Sequence, residues 1–148
     1  MLLAERNQAA MASLDKKRIF MVEDNLENRI IFQLALVRTT AVLEFDRWGR
    51  DTLRKLNWFM PVDLILLDLM LPHGESGYDI FDQIRKVPEF AHIPIAAVSA
   101  SDPNIAIPKC REKGFSGFIA KPIDDDLFVD QLEKLISGES VWYTAHQH

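Results

Sequence analysis

A chain of 148 residues is close to the usual size of one domain, and it can bury roughly 70% of its unfolded surface, so it needs no disulfide staple or structural metal. Its 48% hydrophobic and 26% charged residues exclude a disordered chain. The 22 acidic against 17 basic residues give a net charge of −5, which excludes a general binder of nucleic acid or membrane surface.

Residues 1–16 are good helix formers without a long apolar stripe, and read as an N-terminal extension that stays poorly ordered unless it docks. Met1-Leu2-Leu3-Ala4 meets Glu5 and Arg6 at once, so the apolar core of a signal peptide is absent there. Arg18 to Val22 is a short β-branched and aromatic run, a buried strand, ending in Glu23-Asp24-Asn25. Asp24 or Asn25 caps a helix whose Leu26, Ile30, Leu34 and Val37 follow helical spacing and read as core. Thr40 to Phe45 is a second strand, followed by Gly49 and a short helix through Leu53 and Leu56. Val62 to Leu67 is a near-continuous aliphatic run, the mark of a central parallel strand covered on both faces. It ends in Asp68, and a loop with Pro72, Gly74 and Gly77 leads to a helix carrying Phe81 and Ile84.

Ile93 to Val98 is the fourth strand, ending in Ser99. It lies in the longest uncharged stretch, Ala91 to Ser101, which is too short to span a bilayer. Pro108 falls where the next helix should run; an interior proline costs about 3 kcal/mol, so that helix is expected to be short and to start near Pro108. The single cysteine, Cys110, permits no internal disulfide and suits a reducing cytoplasm. Phe118 to Ala120 is the fifth strand, ending in Lys121-Pro122, and a last helix from about Asp124 lines up Phe128, Leu132, Leu135 and Ile136. Gly138 ends it, and residues 139–148 form a tail. Five strands alternating with helices predict a doubly wound α/β fold, a parallel sheet with helices on both faces, in one domain over residues 17–138.

The polar residues are informative by their position. Glu23-Asp24, Asp68, Ser99 and Lys121 each close a strand, and in an open parallel sheet such ends share the edge where ligands bind. With the order 2-1-3-4-5 and strands about 4.8 Å apart, Asp68 sits one strand from the acidic pair and one from Ser99, within reach of Lys121. Two carboxylates about 5 Å apart repel by roughly 3 kcal/mol at an effective dielectric of 20, so three of them need a cation besides Lys121. Hard oxygen donors suit Mg²⁺. His73 and His92 are isolated and Cys110 has no partner at metal spacing, which leaves imidazole or thiolate ligation without a set. Mg²⁺ beside a carboxylate, a hydroxyl and a lysine is equipment for phosphoryl transfer.

At these residues the chain resembles the receiver domain of two-component response regulators, a flavodoxin-like fold. The matching stretches are KRIFMVEDN (Lys17 to Asn25), DLILLDLMLP (Asp63 to Pro72), IPIAAVSAS (Ile93 to Ser101) and GFIAKP (Gly117 to Pro122), in order and suitably spaced. The resemblance implies that Asp68 accepts a phosphoryl group from phosphohistidine on a sensor kinase or phosphotransfer protein. It implies Mg²⁺ on Glu23, Asp24, Asp68 and the backbone carbonyl of Met70, with Lys121 and Ser99 on the phosphoryl oxygens and a cis bond before Pro122. Phe118 matches the aromatic switch position, which couples Ser99 to the face of the fourth helix of the core, the fifth strand and the last helix. That face would meet a downstream protein.

Taken singly, the residues have plainer readings. Glu23-Asp24 suit a solvated strand end, Ser99 a helix entry, Lys121 a surface charge and Phe118 the core; Trp142 and Tyr143 suit either a packed tail or a partner anchor. Asp68 resists this, since a carboxylate after Leu64 to Leu67 is costly to desolvate alone. The chain departs from the family in three places: Glu23 replaces an aspartate, the loop after Asp68 (Leu69 to Ser76, before Gly77) is one residue longer, and Pro108 disturbs the output face. The family's homodimer geometry therefore does not carry over directly.

A receiver that phosphorylates itself from a donor and slowly hydrolyses the product, without being an enzyme on other substrates, is the leading expectation. No segment is left for an effector domain, so output runs through protein contact or a relay, and a fragment of a longer protein would look the same. A Mg²⁺ phosphatase with an aspartate nucleophile would place a general acid two residues on, where Met70 stands. A pseudo-receiver scaffold is the other alternative, against which Asp68, Ser99 and Lys121 weigh.

Overall fold

The computed structural model describes residues 2–71 and 75–145, apart from the side chains of Asn7, Met11 and Ala12. In chain order the elements are helix α1 (Leu3–Ser13), β1 (Arg18–Val22), α2 (Leu26–Ala35), β2 (Val42–Asp46), α3 (Thr52–Phe59), β3 (Leu64–Leu67), α4 (Gly77–Arg85), β4 (Ile95–Ser99), α5 (Pro103–Lys113), β5 (Gly117–Ala120), α6 (Asp125–Ile136) and β6 (Val141–Tyr143), with a 3₁₀ turn at Pro88–Phe90. The strands form one parallel sheet in the order β2-β1-β3-β4-β5-β6. β3 is buried along its whole length, as its aliphatic composition requires. One face of the sheet packs on α3, α4 and α5 through Leu56, Ile80, Phe81 and Cys110. The other packs on α1, α2 and α6 through Leu14, Phe32, Phe128 and Leu132. No helix among the described residues is long and apolar enough to cross a membrane.

Four features differ from, or complete, the sequence expectations. The sheet has six strands rather than five. The tail turns back at Gly138 (φ 98°) and pairs beside β5, with Phe118 opposite Trp142. Gly117 permits this approach, because a Cβ there would lie 2.3 Å from the Val141 carbonyl oxygen. The Arg111 guanidinium sits 4.6 Å from the centre of the Trp142 ring, so the tail is pinned to α5 as well.

The N-terminal extension docks. Ala10 and Leu14 are buried with α6, and the Thr40 hydroxyl joins the Asp15 carboxylate to the Lys16 N–H (2.9 Å).

Helix α2 is turned the other way from its expected orientation. Phe32 and Leu36 face the core, with Phe32 stacked on Phe128 at 5.7 Å, while Leu26, Ile30, Leu34 and Val37 are exposed. At 100° per residue these four cluster on the side opposite Phe32 and Leu36. Phe32 and Leu36, with Ala35 beside them, fill the space against the sheet and α6, and the longer apolar row faces water.

Helix α5 starts at Pro103, not near Pro108, and keeps Pro108 inside it. Pro103 occupies the first turn and Asp102 caps it, accepting from the Asn104 N–H at 3.0 Å. Pro108 and Asn104 are both exposed, so the carbonyl that loses its helical donor is left to water. The loop from Leu69 to Ser76, expected to be one residue longer, includes Pro72, His73 and Gly74, which lie outside the described residues.

Candidate functional site

The sheet register brings the strand ends together. Val22 pairs with Leu67 and Ser99 with Ala120, so the residues that follow β1, β3 and β5 emerge at one edge. The backbone continues this alignment: the Asp68 N–H donates to the Val22 carbonyl (3.1 Å) and the Lys121 N–H to the Ser99 carbonyl (2.9 Å). The Lys121–Pro122 bond is cis. Gly77 opens α4 directly against Asp68, where a Cβ would meet the Asp68 carbonyl oxygen at 2.3 Å, so only glycine lets the helix pack this close.

The Lys121 ammonium donates to Glu23 Oε2 at 2.8 Å and to Asp68 Oδ2 at 2.9 Å. Both carboxylates are withdrawn from water, Glu23 to 2% exposure and Asp68 to 9%. Burial of two acids and one base at this spacing makes the ammonium indispensable, because either carboxylate left alone would be an uncompensated buried charge. Glu23 Oε1 accepts from the Asn25 N–H (3.1 Å) and Asn28 Nδ2 (3.2 Å). Asp68 Oδ1 accepts from the Met70 N–H at 3.2 Å. Asp24 turns outward to Arg47, whose Nε lies 3.3 Å from Oδ1.

A cavity of about 190 Å³ is lined by Glu23, Asp24, Asn25, Asn28, Asp68, Met70, Ala100 and Lys121. It therefore gathers five of the residues singled out in the sequence: Glu23, Asp24, Asp68, Met70 and Lys121. Ser99 does not line it. That residue is fully buried, and its hydroxyl is engaged with the Ser101 hydroxyl (2.9 Å) and the Ser101 N–H (3.2 Å). Phe118 is fully buried in the core on the α5 side. Sequence reasoning missed Asn28 and Arg47 as neighbours of the site. The Asn28 backbone N–H donates to its helix cap, Asn25 Oδ1, at 3.0 Å, which leaves its side chain free to reach Glu23. Arg47 stands just past the end of β2, beside the acidic pair's strand.

The donor set is chemically suited to Mg²⁺, being carboxylate and carbonyl oxygen with room for water. Among the described residues, however, no three acidic, imidazole or thiol side chains are gathered as a ready ligand cluster. Lys121 lies between Glu23 and Asp68, and Arg47 draws Asp24 away. A divalent cation at this site competes with two protein cations for the same oxygens.

The profile of the response regulator receiver domain family matches residues 19–133. The chain belongs to that family. Similar proteins include the two-component response regulator ORR12 of Oryza sativa subsp. japonica, 26% identical over 110 residues, covering 74% of this chain and 90% of that protein. The hybrid signal transduction histidine kinase D of Dictyostelium discoideum is 33% identical over 125 residues, covering 83% of this chain and 8% of the kinase. Among solved structures, the non-phosphorylated HemR receiver domain of Leptospira biflexa superposes with a TM-score of 0.70 at 26% identity, over 90% of this chain and all of that one (100%). The receiver fold thus occurs in these relatives both as nearly the whole protein and as a small part of a kinase.

Proposed function

We propose that Asp68 accepts a phosphoryl group from phosphohistidine on a sensor kinase or phosphotransfer protein. In that step a new P–O bond forms to an Asp68 carboxylate oxygen as the P–N bond to imidazole breaks. The observation that carries this reading is the Lys121 ammonium shared between Glu23 and Asp68 inside a cavity that Asp24 and Met70 also line. Asp68 is held by Lys121 and the Met70 N–H, one bond to each oxygen, and keeps lone pairs toward the cavity. Lys121 is long enough to follow the phosphoryl oxygens while staying near Glu23, and so offsets charge that would otherwise build up in a dry site.

Glu23, Asp24, Asp68 and the Met70 carbonyl would hold Mg²⁺, with Arg47 giving up Asp24. Bound there, the ion supplies positive charge to the carboxylates and to the phosphoryl oxygens. The Ser99 hydroxyl, released from Ser101, donates to the new anion, and Phe118 follows it. This biases the face of α5, β5 and α6, where β6 occupies the sheet edge, toward a downstream protein. Hydrolysis by water returns the Asp68 carboxylate and inorganic phosphate, so the chain acts as a signalling switch rather than an enzyme on outside substrates, in the cytoplasm.

The exposed row of α2 supports the donor reading. Leu26, Ile30, Leu34 and Val37 form an apolar ridge whose first turn begins at Asn25, on the cavity's rim. A hollow of about 350 Å³ continues the ridge, lined by Leu34, Ala35, Val37, Arg38 and the start of α6. Solvent-exposed apolar rows of this length mark contact surfaces. A partner helix laid along the ridge brings its phosphohistidine over Asp68.

The test is intact-mass measurement after incubation with acetyl phosphate, with Mg²⁺ or with chelator, for wild type and Asp68→Asn. One phosphoryl adduct on wild type with Mg²⁺ and none on the variant is the expected result. No adduct on either favours a pseudo-receiver, and steady turnover of unrelated phosphate esters favours a phosphatase.

A further inference from the structure

Strand β6 is an addition to the sheet that the strand-end cavity does not need. The family profile ends at residue 133, before β6, and without that strand β5 would be the open edge of the sheet. β6 closes this edge with three residues that alternate between its two faces. Val141 and Tyr143 pack on the α6 side, and Trp142 packs on the α5 side.

The hold on β6 is light. The bond that brings it in, from the Val141 N–H to the Ser116 carbonyl, is 3.3 Å long, and Trp142, Tyr143 and the two residues after them are only half-buried. Trp142 is gripped from outside by Arg111, an exposed side chain whose guanidinium lies 4.6 Å from the ring centre. A solvated cation over an aromatic face is a weak clasp beside a packed core. Short ladders with few buried contacts open well before the domain unfolds.

The position of β6 ties it to the phosphoryl site. Ser99 lies opposite Ala120 and Phe118 opposite Trp142, so β5 alone separates the strand of Ser99 from β6. Register partners in a sheet point to the same face, and Phe118 and Trp142 both belong to the cluster beside α5. Phe118 is fully buried there, and Trp142 is the next side chain outward. A movement of Phe118 therefore reaches Trp142 before any other part of the tail.

We propose that β6 is a releasable strap. It covers the β5 edge while Asp68 is unmodified, and the shift of Ser99 and Phe118 toward a phosphoryl group unseats Trp142 and bares that edge to the downstream protein. The strap rests on the reading of Asp68 as the phosphoacceptor and names the segment that moves. Coupling of this kind is reciprocal: whatever loosens β6 must favour the modified state by the same factor. A tail that merely packs the sheet edge has no such effect on Asp68.

The test measures hydrogen exchange over residues 139–145 of the full chain by mass spectrometry, with Mg²⁺ alone and with Mg²⁺ and beryllofluoride, which stands in for a phosphoryl group on a carboxylate. β2, the opposite edge of the same sheet, is the internal reference. The expected result is exchange at least about threefold faster over 139–145 with beryllofluoride, and no change in β2. Arg111→Ala, which removes an exposed side chain and leaves the core intact, should speed the same segment without beryllofluoride, and Trp142→Ala should speed it more. Calorimetry at saturating Mg²⁺ should find beryllofluoride bound about two- to fivefold more tightly by Arg111→Ala than by wild type. The strap is overturned if beryllofluoride binds wild type while exchange over 139–145 stays level or slows, or if exchange rises equally in β2. Equal beryllofluoride affinity in wild type and Arg111→Ala overturns it as well, leaving β6 as edge packing alone. Failure of the phosphoacceptor reading has its own signature: wild type then takes no adduct from acetyl phosphate and binds no beryllofluoride, and the strap falls with it.

Discussion

Two buried acids close neighbouring parts of the sheet, and they are served in different ways. Asp46 ends β2 and is satisfied by its own neighbourhood: Thr52 donates its hydroxyl at 2.6 Å and Lys55 approaches at 3.6 Å, both from helix α3, which follows. Asp68 follows β3 and shares with Glu23 a lysine that lies 53 and 98 residues away in sequence. The first arrangement fastens the next helix to its strand. The second joins three chain segments around a cavity and leaves acceptor oxygens facing it. A buried carboxylate alone therefore does not mark a site; one held by distant partners at a sheet's ligand edge does.

Substitution of the two acids separates them most. Asp68→Asn should lose the phosphoryl adduct entirely, whereas Asp46→Ala should keep it while losing about 1 to 3 kcal/mol of stability from the orphaned Thr52 hydroxyl and Lys55. The lysines should separate next. Lys121→Ala strands two buried carboxylates and is expected to cost about 3 to 5 kcal/mol in urea titrations. Lys55→Ala removes a half-exposed lysine at 3.6 Å from an acid that keeps the Thr52 hydroxyl, and should cost less, about 1 kcal/mol.

Arg47→Ala sharpens the picture of the cation site. It frees Asp24 from an exposed pair, so Mg²⁺ affinity by calorimetry should rise about two- to fivefold. Unchanged or weaker affinity would mean that Asp24 is not held back by Arg47.

The smallest effect is confined to alkaline pH and lies under α5. Burial pushes the Cys110 thiol up from 9.0 to about 11, and burial pushes the Tyr78 hydroxyl, bonded to it, from 10.0 to about 12. Both groups keep their protons in the folded state after the unfolded chain would lose them. Their contribution is full below pH 9 and is lost as pH rises through these raised values. Stability should therefore be level to about pH 9 and fall beyond it, with a shallower fall in Cys110→Ala.

The parallel sheet was legible because aliphatic runs such as Leu64 to Leu67 suit a strand buried on both sides, whereas the strand order is not written in such runs and entered as an assumption. The strand-end acids and lysine were legible for the same reason: apolar runs that stop at a charge place that charge at the sheet edge. The orientation of α2 was not. Helical spacing shows that Leu26, Ile30 and Leu34 share a face, but only the packing of Phe32 on Phe128 decides which face meets the core. β6 is three residues long and depends on close approach to Gly117, too short a signal to separate from a loose tail. Asn28 and Arg47 reach the site as single side chains from the next helix and strand, and no local pattern reports such a reach.

The most direct measurement is peptide mapping of the chain after brief treatment with acetyl phosphate and Mg²⁺, with the modified carboxylate trapped and located by fragmentation. The label is expected on Asp68 and not on Asp46. Label on Asp46, or spread over surface acids without preference for Asp68, would contradict it.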